Sequence, residues 1–414
     1  MLKKKLKIAI FHLAFIYSGG GERLVLEEAK GLKEKGHSVE IFTSVLDKRA
    51  CFPDTIGGFN IRTFLPDIPF IFDGHESFKI VMSCILAPLF AIKFRKFDVI
   101  LAANQPSLWI AWVAKRLFSI PYVSYLAQPT RFLYMRKIDK KTGLFFSKKA
   151  SDSFTAMVMH KAKRFIYWAD KISIKSSNVV LANGDYIKAV LEKTYSIKAI
   201  SCPAGAYPTS KVSDYRLRLR GKIAIGPSEI TKPYLLLTNR HFSQKRFEYA
   251  VFALVALLGK YPNYSLVVAG KETDYTNEVK RLVARLDLTS KVKFLGYVKE
   301  KELNILYSNA AVYLYTAPEE DFGMGVIEAM AKGTPVVAWN NAGPTGIVRN
   351  GIDGLLAKPF ETSDFSQKVL RIASNNRFAQ KVAQAGLESV KKRFTYEKHL
   401  KTLEGQLKSV GISS

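Results

Sequence analysis

Two periodicities of hydrophobic and polar positions alternate along the chain. Short, continuously apolar runs rich in β-branched residues are followed by longer stretches in which apolar residues recur every three or four positions. This alternation predicts parallel β-sheets covered by helices. The first repeat is a strand at residues 7–13, a glycine-rich loop and a helix at residues 23–35 that ends before Gly36. The later predicted strands lie at residues 38–43, 99–102, 122–125, 179–182, 234–238, 265–269, 292–295, 311–315 and 335–338.

The predicted strands fall into two series, which indicates two domains, as the length of 414 residues also does. Between the series the pattern is weak, and spaced arginines, glycines and prolines are typical of a linker. The C-terminal tail has a helical pattern, and we expect it to pack back towards the first domain. The predicted organisation is a doubly wound α/β domain at 1–208, a linker at 209–232, a second doubly wound α/β domain at 233–393 and the C-terminal helix at 394–414.

Composition adds one strong signal, an excess of positive charge. The chain is 48% hydrophobic and 24% charged, which excludes a disordered or fibrous protein. Its 63 Lys and Arg against 35 Asp and Glu give a net charge of +28, which predicts an anionic partner: lipid, nucleic acid or a phosphorylated small molecule. Cys51, Cys84 and Cys202 have no paired spacing. We therefore expect a reducing compartment, with neither a disulfide framework nor a cysteine metal site.

Two apolar segments bear on membrane association. Residues 8–16 contain His12 and lack a small-residue cleavage site, so we interpret them as a strand rather than as a secretory signal. Residues 80–92 are uncharged and apolar but contain Pro88. Because a bilayer span needs about 20 residues, this run is too short to cross a membrane. It is compatible with a buried helix and with a segment that lies on a membrane surface.

Three consecutive glycines follow the first predicted strand. Gly19, Gly20 and Gly21 stand where the chain turns into a helix. Glycine lets the backbone approach an anion closely, and a helix N-terminus favours negative charge. The dinucleotide fingerprint G-x-G-x-x-G is absent, because Leu24 occupies the place of its last glycine. The segment is a candidate phosphate site or, alternatively, only a tight strand-to-helix turn.

A pair of cations follows the first strand of the second series. Arg240 and Lys245 are separated by four residues across a strand-to-helix turn, so both side chains can converge on one phosphate group. Ligands of open α/β sheets bind at the carboxyl ends of strands, which is where this turn lies. A guanidinium fork and an ammonium point charge together can neutralise a departing diphosphate without a metal ion. Solvated loop charges are the alternative.

Two carboxylates flank the start of the helix that follows the predicted strand 311–315. Glu320 lies in the loop, and Glu328 lies on the helix between two apolar residues. The helix begins near Gly323, and its N-terminus can hold a phosphate. An unpaired carboxylate among apolar residues is costly, so Glu328 needs a polar partner, and sugar hydroxyls would serve. A salt bridge with Lys332 is the alternative.

Together these motifs resemble those of the retaining GT-B glycosyltransferases of group 1, family four. Glu320 and Glu328, in the setting E-D-F-G-x-x-x-x-E-A-M-A-x-G-x-P-V-V-A, are similar to the E-x7-E signature of that family, and Arg240 and Lys245 match its R-x4-K pair. The chain looks closest to mannosyltransferases that build lipid-linked oligosaccharides or cell-surface glycans. Further matches, spread over nearly the whole chain, are G-G-x-E-R from Gly19, G-H-x-V from Gly36, P-x-G from Pro203, V-A-G ending at Gly270 and F-L-G-Y-V ending at Val298.

The resemblance implies a fold, a reaction and a site. The fold is two Rossmann-like domains that face each other across a cleft, and the reaction is retaining hexosyl transfer from a nucleotide sugar, without metal or cofactor. By the resemblance, Arg240 and Lys245 hold the donor diphosphate as catalytic groups. Glu320, also catalytic, binds the donor sugar, and Glu328 binds the ribose. The other implied donor-binding residues are Gly19, Gly20, Gly21, Gly270, Tyr297, Val298, Phe322, Gly323 and Met324.

Two positions depart from the family pattern. Ala127 stands where many relatives, mannosyltransferases in particular, have the His of H-x-P-x-R-x-L-Y, so that role is absent or moved to Gln128. Gly346 replaces the Glu of the G-G-P-x-E loop. We favour mannose from GDP-mannose as the donor, and a UDP-sugar is the alternative. A GT-B epimerase or phosphorylase and an inactive glycan-binding scaffold are the remaining alternatives.

The predicted acceptor and location follow from the charge of the first domain. Residues 131–175 contain 12 basic and three acidic residues, interleaved with eight aromatic residues. Such a composition suits docking on an anionic membrane surface, although a solvated helix face is the alternative. We predict a cytoplasmic enzyme, peripheral to the inner face of the membrane, that uses a glycan or lipid-linked acceptor. No nucleic-acid-binding module is recognised, so a nucleic-acid partner is not expected.

Overall fold

The computed structural model describes residues 5–66, 75–138 and 161–412. The chain forms two compact units, one made of Met1–Ala204 together with Tyr396–Ser414 and the other of Gly205–Thr395. Each unit has its own parallel sheet and its own core of buried apolar side chains. The predicted class, two α/β domains with parallel sheets, is therefore confirmed.

The first unit is built on a seven-stranded parallel sheet. The described strands of the unit, two of which lie outside this sheet, are β1 (Lys7–His12), β2 (Ala14–Phe15), β3 (Ser38–Thr43), β4 (Val45–Leu46), β5 (Ile61–Thr63), β6 (Val99–Ala103), β7 (Tyr122–Leu126), β8 (Val179–Ala182) and β9 (Ile200–Ser201). The order is β5-β3-β1-β6-β7-β8-β9, and β2 and β4 form a separate short ladder. The central strands β6 and β7 are buried at every position, which explains why their sequences are apolar, apart from Ser124, rather than alternating.

Over the described residues up to β9, the helices of the first unit lie between its strands, except that two of them are consecutive and no α-helix lies between β3 and β5. They are α1 (Gly20–Glu34), α2 (His75–Ile85), α3 (Ala87–Ala91), α4 (Ser107–Phe118), α5 (Lys163–Lys175) and α6 (Asp185–Tyr195). Helix α1 begins three residues before the predicted start at Arg23. Gly19 takes the N-cap position, and the acidic Glu22 lies in the first turn, where the helix dipole favours it.

The apolar run at 80–92 is divided between two helices. Helices α2 and α3 meet at Leu86, and Pro88 lies in the first turn of α3, where proline is tolerated. Over the described ranges, no single helix is long and apolar enough to span a membrane. Glu76–Ile85 and Ala87–Phe94 meet the length and composition requirement only as a pair, and that pair is bent by 76°.

The second unit is built on a six-stranded parallel sheet preceded by a hairpin. Its strands are β10 (Lys222–Ile225), β11 (Ser228–Thr231), β12 (Tyr234–Thr238), β13 (Ser265–Ala269), β14 (Val292–Phe294), β15 (Val312–Tyr315), β16 (Val336–Trp339) and β17 (Leu355–Ala357). The sheet has the order β14-β13-β12-β15-β16-β17, and β10 pairs with β11 in antiparallel fashion. The helices are α7 (Glu248–Leu258), α8 (Asp274–Arg285), α9 (Glu300–Asn309), α10 (Met324–Ala331), α11 (Gly343–Ile347), α12 (Thr362–Ala373) and α13 (Asn376–Arg393).

Residues 209–232, which the sequence pattern assigned to a linker, are folded into the second unit. They form the short helix Tyr215–Arg218 and the hairpin of β10 and β11. The Tyr215 hydroxyl donates to the carbonyl of Ala311 at 3.1 Å, and the Tyr215 amide donates to the Gln380 side chain at 2.7 Å. The predicted linker therefore differs from the structure, because its tyrosine and one of its arginines are buried rather than solvated.

The C-terminal helix α14 (Tyr396–Gly411) belongs to the first unit. Its Leu400 packs on Gly31 of α1 so closely that any side chain at Gly31 would overlap it. Next to this contact, the fully buried side chains of His399 and Glu28 form an ion pair with Nε2 and Oε1 3.0 Å apart. The helix is thus held to the first unit by close apolar packing, by this buried ion pair and by Glu404, which pairs with Lys35 at 2.9 Å and with His37 at 3.3 Å.

Candidate active site

Each sheet reverses its strand order beside one of the candidate motifs. In the second unit, β12 has β13 on one side and β15 on the other, and ligands of such sheets bind at the carboxyl ends next to this switch point. Arg240 and Lys245 follow β12, and Glu320 follows β15, so all three lie at that point. In the first unit the switch lies between β1 and β6, and the glycines that begin with Gly19 follow β1.

Lys245 and Glu320 are in direct contact. Lys245 lies in a short helical turn, Ser243–Lys245, and its Nζ is 2.5 Å from Glu320 Oε2. Both side chains are about one-fifth exposed. The Thr316 hydroxyl, just after β15, donates to the main-chain carbonyl of Lys245 at 2.8 Å and ties the two loops together. The structure thus brings two of the three predicted catalytic side chains into one ion pair.

Arg240 lies earlier in the same loop and is half-buried. Its guanidinium stands over the ring of Phe242, with the carbon of the guanidinium 5.2 Å from the ring centre. Such a contact restricts a long side chain without neutralising its charge. The adjacent His241 points into the core, where burial lowers its pKa to about 4, and its Nδ1 is 3.0 Å from the Thr276 hydroxyl. Of these two adjacent residues, His241 is buried in the core and Arg240 is half-buried beyond the carboxyl end of β12.

The loop that carries Glu320 is held by its own unit. The amide of Gly343 donates to the Glu320 carbonyl at 2.7 Å, and a side chain at Gly343 would overlap the backbone of Phe322. Phe322 is buried and packs against the ring of Phe394 at 6.1 Å. Gly323 has φ +111° and caps α10, a conformation that glycine adopts at little cost. The backbone from Glu320 to Met324 is thereby fixed at the N-terminus of α10.

Glu328 has the polar partner that its apolar neighbours required. It lies on α10 and is half-buried, and the Tyr307 hydroxyl of α9 donates to its Oε2 at 2.8 Å. Lys332, the alternative partner, instead donates to the main-chain carbonyl of Tyr207 at 3.1 Å. Sequence reasoning missed Tyr307, since a tyrosine on a helix face usually indicates packing. The only local signal was the need for a partner to Glu328.

The other predicted donor-site residues of the second unit lie at the carboxyl ends of β13 and β14. Gly270 has φ +142°, and a side chain there would overlap the Asn239 carbonyl, so close approach of the neighbouring loop requires this glycine. Tyr297 and Val298 follow β14, and the Tyr297 side chain is 49% exposed. An exposed aromatic ring at this edge is available for stacking on a planar base.

The three N-terminal glycines lie at the first turn of α1. Gly19 is extended, and a side chain there would overlap Glu22 and crowd Tyr17 at 2.9 Å. A side chain at Gly21 would meet open space. The packing of its neighbours therefore explains Gly19, whereas Gly21 leaves the backbone accessible.

The two departures from the family pattern have different surroundings. Ala127 follows β7 and is half-buried, while Gln128 is exposed and accepts a hydrogen bond from Arg131 Nε at 3.2 Å. At Gly346, an added side chain would meet open space, and the Gly346 carbonyl accepts from Arg393. Position 346 therefore has room for the carboxylate that relatives carry there.

Comparison with known proteins identifies the family. Residues 18–202 match the model described as Glycosyltransferase Family 4, and residues 222–389 match the model described as Glycosyl transferases group 1. The switch-point site and the two parallel-sheet units define a glycosyltransferase of the GT-B class. The chain belongs to the group 1, family four glycosyltransferases and is a hexosyltransferase, so the predicted family and enzyme class are confirmed.

Individual relatives are similar over nearly their whole length. The chain is 24% identical to alpha-1,3/1,6-mannosyltransferase ALG2 of Homo sapiens, with 92% of this chain and 90% of that protein covered. It is 26% identical to mannosylfructose-phosphate synthase of Agrobacterium fabrum, with 92% and 84% covered. Among solved structures, Anabaena HepE in complex with UDP and glucose has a TM-score of 0.70 at 17% identity, with 98% of this chain and 100% of that chain covered.

Proposed function

We propose that the protein transfers a mannosyl residue from GDP-mannose to a glycan or lipid-linked acceptor, with retention of anomeric configuration. The observation that carries the proposal is the pairing of Lys245 with Glu320 at the switch point of the second unit. The names of the curated relatives, among them ALG2 and mannosylfructose-phosphate synthase, support mannose as the sugar. A UDP-sugar donor is the alternative outcome of the test below.

Some of the site residues bind the diphosphate leaving group, and others bind the sugars of the donor. When the donor binds, its diphosphate replaces Glu320 as the partner of Lys245, and Glu320 becomes an acceptor for sugar hydroxyls. Arg240 adds a second charge to the same diphosphate, and cations fixed at a developing negative charge are the largest source of rate in such reactions. Glu328 accepts hydrogen bonds from the ribose hydroxyls. The amides at the start of α10 face the phosphates, as helix N-termini do.

Donor identity is tested by ligand-induced stabilisation of the purified protein. We expect GDP and GDP-mannose to raise the melting temperature more than UDP, ADP or their sugars, since only a ligand of the folded state stabilises it. The same samples are then assayed for slow donor hydrolysis, with product configuration read by NMR. Stabilisation and hydrolysis with UDP-glucose instead would replace the proposed donor. Absence of hydrolysis with every nucleotide sugar would contradict the reaction itself.

We further propose that an aromatic and basic face of the first unit docks on anionic lipid. Trp109, Trp112, Phe165 and Trp168, from α4 and α5, pack together mainly edge to face, with ring centres 5.0 to 5.9 Å apart. Phe165 and Trp168 are about half exposed although they are large and apolar. Trp109 also donates to the Cys84 carbonyl at 3.0 Å, which joins the cluster to α2. Partly exposed Trp and Phe side chains are typical of membrane interfaces.

The charges of α5 favour the same partner. Lys163, Arg164 and Lys175 are exposed, and Lys171 stands 4.6 Å from the ring centre of Tyr167. The only acidic residue of α5, Asp170, is buried and accepts from the Thr130 hydroxyl at 2.5 Å. The exposed charges of α5 are therefore all positive. Residues 139–160, which belong to the same predicted basic stretch, lie outside the described residues.

Charge reversal on α5 is expected to weaken vesicle binding. Each basic residue near an anionic surface contributes about 1 kcal/mol, so Lys163→Glu with Arg164→Glu should reduce partitioning at least tenfold. Vesicle binding of the wild type should fall between low and physiological salt, because salt screens the charges. The double variant Phe165→Ala with Trp168→Ala should reduce the part of the binding that persists at physiological salt. The measurement is sedimentation with vesicles of 0, 20 and 40% anionic lipid.

The matched control places the same charge change on the second unit. Lys260→Glu with Lys301→Glu alters two exposed lysines there and should leave vesicle binding within twofold of the wild type. Donor hydrolysis should be unchanged in both charge-reversal variants, because the proposed donor-binding residues are not among the four substituted residues. Equal binding at every lipid composition, or an equal loss in the control, would mean that α5 is only a solvated face.

A further inference from the structure

One buried guanidinium holds the C-terminal ends of two helices in the second unit. Arg218 is 2% exposed. Its Nη1 donates to the carbonyls of Tyr307 and Ala310 at 3.1 Å and to the Thr334 hydroxyl at 3.0 Å. Its Nη2 donates to the carbonyls of Lys332 and Gly333, both at 2.9 Å. These oxygens lie at the ends of α9 and α10, where the helix dipole is negative, so the helix ends compensate the cation.

These two helices carry the two members of one hydrogen bond. Tyr307 lies on α9 and Glu328 lies on α10, and the tyrosine donates to Glu328 Oε2 at 2.8 Å. Burial, and then the nearby carboxylate, raise the pKa of Tyr307 well above its usual value, so its hydroxyl stays protonated and keeps donating. A hydrogen bond to a carboxylate is shorter and stronger than one between neutral groups. The bond therefore restricts the rotamer of Glu328.

The same hydroxyl is held from its other side. Thr238, the last residue of β12, has its hydroxyl 2.8 Å from that of Tyr307 and 2.9 Å from that of Tyr313. Since Tyr307 gives its proton to Glu328, it is placed to accept from Thr238. The Tyr313 hydroxyl also donates to the Thr238 carbonyl, at 3.3 Å. A side chain at Gly325 would overlap the Tyr313 hydroxyl, so a glycine at this position leaves space for that hydroxyl. Thr238 therefore joins the hydroxyls of Tyr307 and Tyr313 next to Glu328.

We propose that Tyr307 is a positioning residue for the nucleotide-binding carboxylate of Glu328, and that Arg218 fixes the two helix ends between which they meet. This inference rests on the proposed role of Glu328 in binding the ribose. It adds a set of supporting contacts made by Arg218 of the segment 209–232 and by Tyr307 of α9. Neither segment carries a donor-binding motif. Without it, Glu328 would have to be ordered by the ligand itself, and affinity for ribose hydroxyls would fall.

The test compares a nucleotide with its analogue that lacks ribose hydroxyls. Binding of GDP and of 2′,3′-dideoxy-GDP is measured by calorimetry for the full chain, with UDP and its dideoxy analogue as a second pair. Tyr307→Phe should weaken binding of the ribonucleotide about tenfold and leave binding of the dideoxy analogue within twofold. The preference for the ribonucleotide thus shrinks. Arg218→Lys should shrink it in the same direction and also lower the melting temperature.

Tyr234 supplies the matched control. It is fully buried, and its hydroxyl donates to the Leu306 carbonyl of the same helix α9 at 2.7 Å, without a hydrogen bond to Glu328. Tyr234→Phe should lower the melting temperature and keep the nucleotide preference of the wild type. If Tyr307→Phe behaves like Tyr234→Phe, Tyr307 is only a structural residue and the inference is overturned.

Glu328→Ala separates this inference from the proposed function. It should abolish the preference for the ribonucleotide. If it does so while Tyr307→Phe keeps the preference, the positioning role alone fails. If Glu328→Ala itself keeps the preference, the carboxylate does not bind ribose, and both the proposed role of Glu328 and the inference that rests on it are wrong.

Discussion

Replacing Lys245 by Ala is expected to reduce hexosyl transfer at least a hundredfold while leaving the fold intact. Lys245 is paired with Glu320 at 2.5 Å, and in the proposed reaction it neutralises the departing diphosphate when the donor binds. A hundredfold loss corresponds to about 2.7 kcal/mol of transition-state stabilisation. This is the usual effect of removing one fixed hydrogen-bond donor from a developing negative charge. Arg240→Ala should have a comparable effect. The measurement is kcat/KM, with thermal unfolding as the check on the fold.

Lys368 provides the matched control for this expectation. It forms an ion pair with Asp364 on α12 at 3.1 Å, and both side chains are about one-quarter exposed, similar to the pair of Lys245 and Glu320. Lys368→Ala should therefore change stability by less than about 1 kcal/mol and leave kcat/KM unaltered. Near-normal turnover of both site variants would contradict the assignment of the diphosphate to Arg240 and Lys245. A strict divalent-metal requirement, abolished by a chelator, would contradict it as well.

The sheets and the positions of the motifs could be predicted because buried parallel strands leave a clear mark on the sequence. Val179–Ala182, Tyr234–Thr238 and Ser265–Ala269 are strands over the predicted residues, since a strand covered on both faces is mainly apolar. The glycine and charge motifs directly follow such strands. Their places at the switch points then depend only on strand order. The family resemblance assigned Lys245 and Glu320 to one donor site, although it did not predict their direct contact.

What could not be predicted depends on partners far apart in the chain. Arg218 has the sequence context of a solvated charge, because Arg216 and Arg220 lie two residues away on either side and a glycine follows. Its burial requires oxygens from the segments that begin at Tyr307 and at Lys332, which no local pattern encodes. Tyr307 likewise looks like a packing residue until α10 is placed beside α9. In both cases the tertiary contact, and not the local propensity, decides the role.

His399 is a third such residue, and it leads to the largest expected effect on stability. Its Nε2 faces Glu28 Oε1 and its Nδ1 faces the Pro203 carbonyl, both at 3.0 Å, with Cys202 Sγ 3.5 Å away. Two acceptors on the two ring nitrogens require the protonated ring. Burial alone would lower the pKa of His399, but Cys202 and Glu28 outweigh it and raise the pKa to about 10. A buried ion pair therefore joins α14 to α1.

Breaking this pair should destabilise the first unit by about 3–5 kcal/mol, since His399→Gln leaves the fully buried Glu28 carboxylate uncompensated. The stabilisation should be complete below the unfolded pKa of about 6.5 and should disappear as the pH rises through the folded value of about 10. The other titratable groups that face the pair, Cys202, Tyr125 and Tyr396, are present in both proteins.

The quantity to measure is the difference in unfolding free energy between wild type and His399→Gln, from denaturant titrations at pH 6 to 10. The difference should be largest at pH 6 and should decrease towards pH 10, because the variant lacks the titrating ring. Glu40→Gln is the control: Glu40 is paired with Arg62 and Lys96, whose side chains are about half exposed, so its loss should cost less than about 1 kcal/mol. A cost that small for His399→Gln, or a difference that grows with pH, would show that the pair is not an imidazolium–carboxylate pair.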